Sequence, residues 1–593
     1  MTLTFGPVLH EHGTTFRLWA PLQERMVLQV EGMPDRDMER GEDGWFTADV
    51  AGAGAGNRYR FRLPDGLEVP DPASRYQPED SHGPSEIVDP SGYQWSCEDW
   101  TGRPWEEIVL YELHVGTFTE AGSFAAIIER LDHLKALGVT ALQIMPISDF
   151  PGRYNWGYDG VLPYAPDSSY GHPHDLMALI DAAHERGICV FLDVVYNHFG
   201  PDGNYMASYA PLFTEHHKTA WGQGVNFDGD GSREIREFII QNALYWIREF
   251  RFDGLRLDAV HAIKDDSAEH LLQELARRVR EAAPGRHVHL VVENEENDSG
   301  LLARDEAGRP RFFTAQWNDD VHHVLHIAAT GETFGYYGDY AGDPAILGRA
   351  LSEGFAFQGE VMPYRGETRG KPSAHLPPTA FIAFIQNHDQ IGNRAHGDRM
   401  VTYAAPEKLK AIAALYLLLP QIPMLFMGEE WGAREPFPYF CDFNEELNQA
   451  VRDGRRKELS RLPGFDVDDL LDPTAPSTFA SAKLDWQKLG EDDAAEWLEL
   501  YRGLLTLRRE RIVPLLKGSG GAAGTVRDAG EAIAIDWTLT DGATLSLLAN
   551  LRDEAGPDVS LRAGEEPLFA LGAAPGKPMP AWSVFWSLRP ANG

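Results

Sequence analysis

GLRLDAVHAI, running from Gly254 to Ile263, carries the pattern from which the architecture is inferred. Leu255, Leu257 and Ala259 alternate with Arg256, Asp258 and Val260, the period-two pattern of a short strand buried on at least one face. Side chains two apart on a strand project to the same side, so Arg256 and Asp258 should meet. At the mouth of a barrel the guanidinium would hold the carboxylate ionised and fix its direction, because an adjacent cation lowers a carboxylate's pKa. A carboxylate held this way is either an inert ion pair or a catalytic nucleophile, and the surrounding chain has to decide.

On both sides of this stretch, from about Ile108, apolar strands alternate with amphipathic helices. IVLYELHVGTF is followed by a helical face of Phe124, Ile127, Ile128, Leu131 and Leu134 within Ser123 to Leu137. ALQIMPI leads into the loop DFPGRYNWGYDG, and CVFLDVVYNH is a third strand. Helices with Leu176, Leu179, Ile180 and Ala183, with Ile240, Ala243, Leu244 and Ile247, and with Leu272, Leu275, Ala276 and Val279 each precede a strand. VHLVVEN, FFTAQWN, AFIAFIQNHD and IPMLFMGEEW bring the strand count to eight. The expectation is an α/β fold: a (β/α)8 TIM barrel over residues 92–515, with a small subdomain inserted at about 199–231. Residues 1–91, with TTFRLWAP, MVLQVEG, WFTADV and RYRFRLP between turn signals, read as an N-terminal β-sandwich of carbohydrate-binding type. AIAIDWTL, TLSLLANL and WSVFWSL make residues 516–593 a C-terminal all-β domain, read as a second sandwich.

Composition narrows the partners. Hydrophobic residues at 43% and charged residues at 24% describe an ordinary globular chain. A formal net charge of −37 argues against nucleic acid or an anionic membrane, while a neutral ligand is compatible with it. The most apolar segment, Ala411 to Met427, is broken by Pro420, Gln421 and Pro423, so no membrane span is expected. MTLTFGPVLHEHG carries no secretory pattern, and Cys97, Cys189 and Cys441 fit neither a metal spacing nor a disulfide framework. A cytoplasmic protein with buried thiols is expected.

In such a barrel the functional groups sit at the C-terminal ends of the strands. Reading off those ends gives Asp193, Asn197 and His198 on strand three, and Arg256, Asp258 and His261 on strand four. Glu293 follows on strand five, with Asn387, His388 and Asp389 on strand seven. One strand-end acid is usually an Asx turn; four on separate strands suggest retaining glycoside chemistry, in which nucleophile and acid/base stand about 5–5.5 Å apart. Asp258 would be the nucleophile, and partial burial after Leu290, Val291 and Val292 would keep Glu293 protonated as the acid. Asp389 would grip sugar hydroxyls, with His198 and His388, both neutral, donating to the same sugar. Glu295 and Glu296 compete with Glu293 for the acid's role, but only Glu293 comes directly off the strand. Asp193 and Asn197 could suggest a calcium site, yet no further ligand cluster accompanies them, so neither metal nor cofactor is expected.

DVVYNH (193–198), GLRLDAVH (254–261), the strand ending at Glu293, and QNHD (386–389) resemble the four signature regions of the α-amylase family, in order. The resemblance implies Asp258 as nucleophile, Glu293 as acid/base and Asp389 as transition-state stabiliser. Arg256, His198 and His388 would assist, and Tyr158 would be an aromatic platform under the reacting sugar. Many relatives carry Lys-His three and four residues after the nucleophile; this chain has His261 and Ala262 there, which puts ordinary starch cleavage in doubt. DPASRYQPEDSHGPSEIVDP (71–90), QNHDQIGNRAHGDR (386–399) and GEEWGAREPFPYFCDF (428–443) resemble the maltooligosyltrehalose trehalohydrolase branch of that family. That branch implies hydrolysis of the α-1,4 bond beside a terminal trehalose unit of maltooligosyltrehalose. It also implies a functional partner, the maltooligosyltrehalose synthase that makes the substrate. Candidates for holding trehalose are His261, Trp221 and Asn226, and after strand eight Glu429, Glu430, Phe437, Tyr439 and Phe440; loop packing is an equal reading for all but His261. A glycogen-branching transferase is the nearest enzyme alternative, and a non-catalytic carbohydrate-binding protein on the same scaffold is the alternative from another class.

Overall fold

The structure, a computed structural model, describes residues 4–341, 343–460 and 470–591. Its centre is a closed barrel of eight parallel strands: β1 (Leu110–Leu113), β2 (Ala141–Ile144), β3 (Cys189–Val194), β4 (Gly254–Leu257), β5 (His289–Val292), β6 (Ala315–Trp317), β7 (Phe381–Ala383) and β8 (Ile422–Phe426). Each strand pairs with the next, and β8 returns to β1 with Glu112 opposite Phe426. The expected (β/α)8 fold is the observed one.

Strand periodicity builds the site. Leu110, Phe191, Val291, Ile382 and Met424 belong to one apolar cluster that fills the barrel's lower interior. Two residues further along the same strands, and so on the same side, stand Glu112, Asp193 and Glu293. The β3–β4 register sets Arg256 directly opposite Asp193, with Val291 across from Arg256 on the other flank. The barrel is thus a plug of hydrocarbon with a charged upper layer.

Four stretches depart from the sequence expectation. IVLYELHVGTF is strand only over Leu110–Leu113, and Val115–Phe118 coils into a helical turn. The helix expected from Ser123 to Leu137 is two, Phe124–Ile128 capped by Ser123 and Leu131–Leu137 closed by Gly138 at φ 108°. Strand β4 stops at Leu257: Ala259 is left-handed at φ 40°, and Val260–Ala262 form a 3-10 turn. Strand β7 likewise ends at Ala383, so His388 and Asp389 lie in the first turn of a helix, His388–Gly392, rather than on the strand.

Ahead of the barrel, strands between Val8 and Glu86 form two antiparallel sheets whose facing side chains, Phe16, Leu28, Phe46, Tyr59 and Phe61 among them, are fully buried. This unit is stitched to the barrel helix Ser232–Arg248. The Thr4 N–H donates to Gln241 Oε1 (2.7 Å), Phe5 packs edge-on against Phe238, and the Arg75 guanidinium lies over Tyr164 and Tyr245. The stretch after β3 carries an antiparallel ribbon, Phe213–Thr219 with Gly222–Val225, over the barrel mouth. At the C-terminus the described residues form a single five-stranded antiparallel sheet between Gly524 and Arg589, where the sequence suggested a sandwich. A barrel helix stands in for the second layer: Trp586, stacked on Trp537, donates its indole N–H to the Ala414 carbonyl (2.9 Å). No helix among the described residues is long and apolar enough to cross a membrane.

Candidate active site

Arg256 organises the upper layer. Fully buried, its Nη1 reaches both oxygens of Asp193 (2.9 and 2.7 Å) and Asp258 Oδ1 (2.9 Å), while Nη2 lies 3.6 Å from Glu293 Oε2. Its plane rests on the Trp317 ring, 4.2 Å from the centroid, so the guanidinium has an apolar floor. Asn197 Nδ2 donates to the Asp258 carboxylate (2.9 Å) and to its carbonyl (2.8 Å). Asp258 is therefore gripped on one oxygen by the cation that the strand pattern implied and on the other by an amide that it did not.

Glu293 lies one residue beyond β5 and accepts a hydrogen bond from the Ala259 N–H (2.6 Å). Burial pushes its carboxyl up to about 8; Arg256 opposes the rise, and Asp258, Asp319 and Asp389 add to it. At neutral pH it is a protonated acid. Burial likewise carries Asp193 up to about 7 against the pull of Arg256.

His388 corrects an expectation. Burial disfavours its charge, but Asp389 and Glu112 outweigh burial and lift it to about 9, so it is an imidazolium rather than neutral. Nδ1 donates to Glu112 Oε1 (2.6 Å), and Nε2 stands 3.4 Å from Asp389 Oδ2. Asn387 caps the short helix by accepting from the Asp389 and Gln390 N–H groups, which fixes where Asp389 points. Glu112 escaped the sequence reading, although a lone charge inside the apolar run LYEL was the available signal.

Tyr158 lines the cavity with its ring stacked on His388 (5.0 Å) and its hydroxyl donating to Asp193 Oδ2 (2.8 Å). The turn before it needs glycine: Gly157 has φ 103°, and a Cβ there would sit 2.0 Å from the Pro146 carbonyl. Both ring nitrogens of His198 are engaged by the protein, with Asn197 Oδ1 and with the Tyr158 carbonyl (3.0 Å), so it braces the loop instead of waiting free for a hydroxyl. Trp221, half exposed at the ribbon's tip, lies flat on His198 at 4.8 Å. His261 faces the same space, its Nδ1 accepting the Glu295 N–H (3.3 Å), and burial lowers its pKa.

These groups line one open cavity of about 690 Å³ that includes Asp258, Glu293, Asp389, His261, Trp221 and Tyr439. Asp159 and Arg455 complete its far wall and were not foreseen. Several trehalose candidates lie elsewhere. Glu429 is buried under the hydroxyls of Tyr416 (2.6 Å) and Tyr501 (3.0 Å), and Glu430 pairs with Tyr111 and His133. Phe437 and Phe440 are fully buried behind Trp156 and His114, and Asn226 ties its own loop together through the Pro211 and Asp230 carbonyls. For these five, loop packing is the observed role.

The chain is similar to the alpha-amylase catalytic domain over residues 90–219 and to a domain of unknown function (DUF3459) over residues 520–586. It is 44% identical over 510 residues to the malto-oligosyltrehalose trehalohydrolase of Saccharolobus solfataricus, covering 86% of this chain and 87% of that one. With the malto-oligosyltrehalose trehalohydrolase of Deinococcus radiodurans it shares 40% identity over 581 residues, 93% and 94% of the two chains. The crystal structure of an alpha-amylase-type protein of Salmonella typhimurium superposes with a TM-score of 0.95 at 45% identity, covering both chains fully.

Proposed function

The chain belongs to the malto-oligosyltrehalose trehalohydrolase family of α-amylase-type glycosidases, and from that premise we propose that its cavity cleaves the α-1,4 bond next to a terminal trehalose unit. The observation that carries the residue roles is one guanidinium, Arg256, in contact with both Asp258 and Glu293. Asp258 attacks the anomeric carbon of the last maltooligosyl glucose. Glu293 gives its proton to the glycosidic oxygen, and trehalose leaves as a neutral alcohol. The ester between Asp258 and the sugar is then hydrolysed: Glu293, now a carboxylate, takes a proton from water, water attacks the anomeric carbon, and Asp258 is freed. The maltooligosaccharide departs with its configuration retained.

Arg256 and the Asn197 amide hold Asp258 aimed before attack and receive it again as leaving group. Asp389, beside the cationic His388, grips hydroxyls of the reacting sugar, and Tyr158 offers its ring face to that sugar. Trp221 and His261, which line the same cavity, are the groups assigned to the trehalose half. The free thiols Cys97, Cys189 and Cys441 suit a reducing cytoplasm. There maltooligosyltrehalose synthase would supply the substrate.

Product analysis tests the reading. Maltotriosyltrehalose should yield trehalose and maltotriose, with a plain maltooligosaccharide of similar length cut much more slowly. Asp258→Asn should lower that rate by at least about 10³-fold. Branch points appearing in amylose, without trehalose release, would overturn the hydrolase reading in favour of a branching transferase.

A further inference from the structure

The ribbon over the barrel mouth carries two adjacent histidines. Neighbours on a strand normally face opposite sides. Here the ribbon's register slips between Thr214 and Lys218, and the rings of His216 and His217 come to 4.4 Å of each other. Asp266, on the loop after the 3-10 turn that follows β4, reaches up to both: its Oδ2 is 3.3 Å from His216 Nε2 and 3.9 Å from His217 Nε2. Behind them Asp228 accepts from His217 Nε2 (2.6 Å) and from the Asp266 N–H (2.8 Å).

We propose that His216, His217 and Asp266, backed by Asp228, form a divalent transition-metal site that fastens the ribbon to the β4 loop. The donor atoms of the first three lie within 4.8 Å of one another. A tetrahedral zinc ion with bonds of about 2.0–2.1 Å needs ligand atoms about 3.3–3.4 Å apart, so the Asp266 pairs at 3.3 and 3.9 Å are close to that spacing already, and a pair at the full 4.8 Å would close by about 1.4 Å through side-chain rotation. Two imidazoles and carboxylate oxygens are the donor set of zinc, and unlike an all-oxygen set they disfavour calcium or magnesium. His216 and Asp266 are open to solvent, which gives the ion a path in, while His217 and Asp228 are largely buried and hold the geometry. The site lies outside the catalytic cavity, but the ribbon it fastens also carries Trp221 at its tip. Metal binding would therefore stiffen one wall of the sugar site without touching the reacting groups.

The test titrates the metal-stripped full chain with ZnCl2 by calorimetry and follows Co2+ by its visible absorption. One Zn2+ per chain and the intense bands of four-coordinate Co2+ are expected. Both should be absent from a His216→Gln/His217→Gln chain whose metal-free hydrolysis is unchanged. Asp228→Asn should weaken Zn2+ binding about 10- to 100-fold, because the Asp228 carboxylate that holds the His217 Nε2 proton is placed to become a fourth oxygen donor once the ion displaces that proton. Hydrogen exchange over residues 213–225 should slow on Zn2+ addition in the unaltered chain alone. Equal titrations in the unaltered and double-variant chains, or bound Zn2+ that leaves the ribbon's exchange unchanged, would overturn the proposal.

Discussion

Glu293 shows how a single side chain acquires its chemistry from its surroundings. Burial raises its pKa first, three neighbouring carboxylates raise it further, and Arg256 restrains it at about 8. As the proton donor it must be protonated, so kcat/KM for maltotriosyltrehalose should fall as pH rises through about 8. Glu293→Gln should cost about 10²–10⁴-fold in rate and erase that alkaline limb. Stability falls in the same direction, over a lower range of pH. The folded pKa lies above the model-peptide carboxyl value, so the unfolded chain gives up this proton first, and folding loses stability as pH climbs from about 4.3 towards 8. Glu293→Gln should thus raise the thermal midpoint more at pH 8 than at pH 5. Equal shifts at both pH values would show that burial does not set this carboxyl's affinity.

The turn after β4 joins the nucleophile's strand to its acid. Ala259, left-handed at φ 40°, lets the chain leave the barrel immediately after Asp258 and aims its N–H at Glu293. A left-handed backbone costs an alanine roughly 1–2 kcal/mol and costs a β-branched residue more. Ala259→Val should therefore lower both thermal stability and turnover, and a variant with unchanged turnover would show that this hydrogen bond is dispensable. The turn also marks where sequence reasoning stops. Alternation in GLRLDAVH revealed the strand and the meeting of Arg256 with Asp258, because both follow from a local period of two. Nothing local announced that the strand ends at Leu257, since the residue that receives the N–H groups of the turn after it, Glu293, lies 35 positions downstream of Asp258 and is reached only through the fold. The charge on His388 was hidden for the same reason: its partner Glu112 lies on the opposite end of the barrel sequence. Glu429 and Phe437 looked like pocket residues because they follow a strand end, and burial among distant tyrosines and tryptophans decided otherwise.

At the scale of the whole molecule the net charge of −37 surrounds a site built for an uncharged oligosaccharide. Self-repulsion among so many carboxylates is screened by salt, whereas a neutral substrate gains nothing from electrostatic steering. Raising NaCl from 20 to 500 mM should raise the thermal midpoint while kcat/KM stays within about twofold; a strong fall in kcat/KM would mean that charge guides the substrate. The same scale shows why the flanking sheets are not accessories. A single continuous hydrophobic core runs from Phe5 in the first sheet unit through the barrel helices to Trp586 in the last. Thr4, Phe5 and Arg75 are matched to Gln241, Phe238 and Tyr245 on one helix, and Trp586 to Ala414 on another. For an engineer this removes the obvious recombination breakpoints. A chimera that exchanges the first unit between homologues has to carry the 232–248 helix with it, and one that swaps the tail has to bring the 406–416 helix, or the graft arrives with its anchoring half left behind.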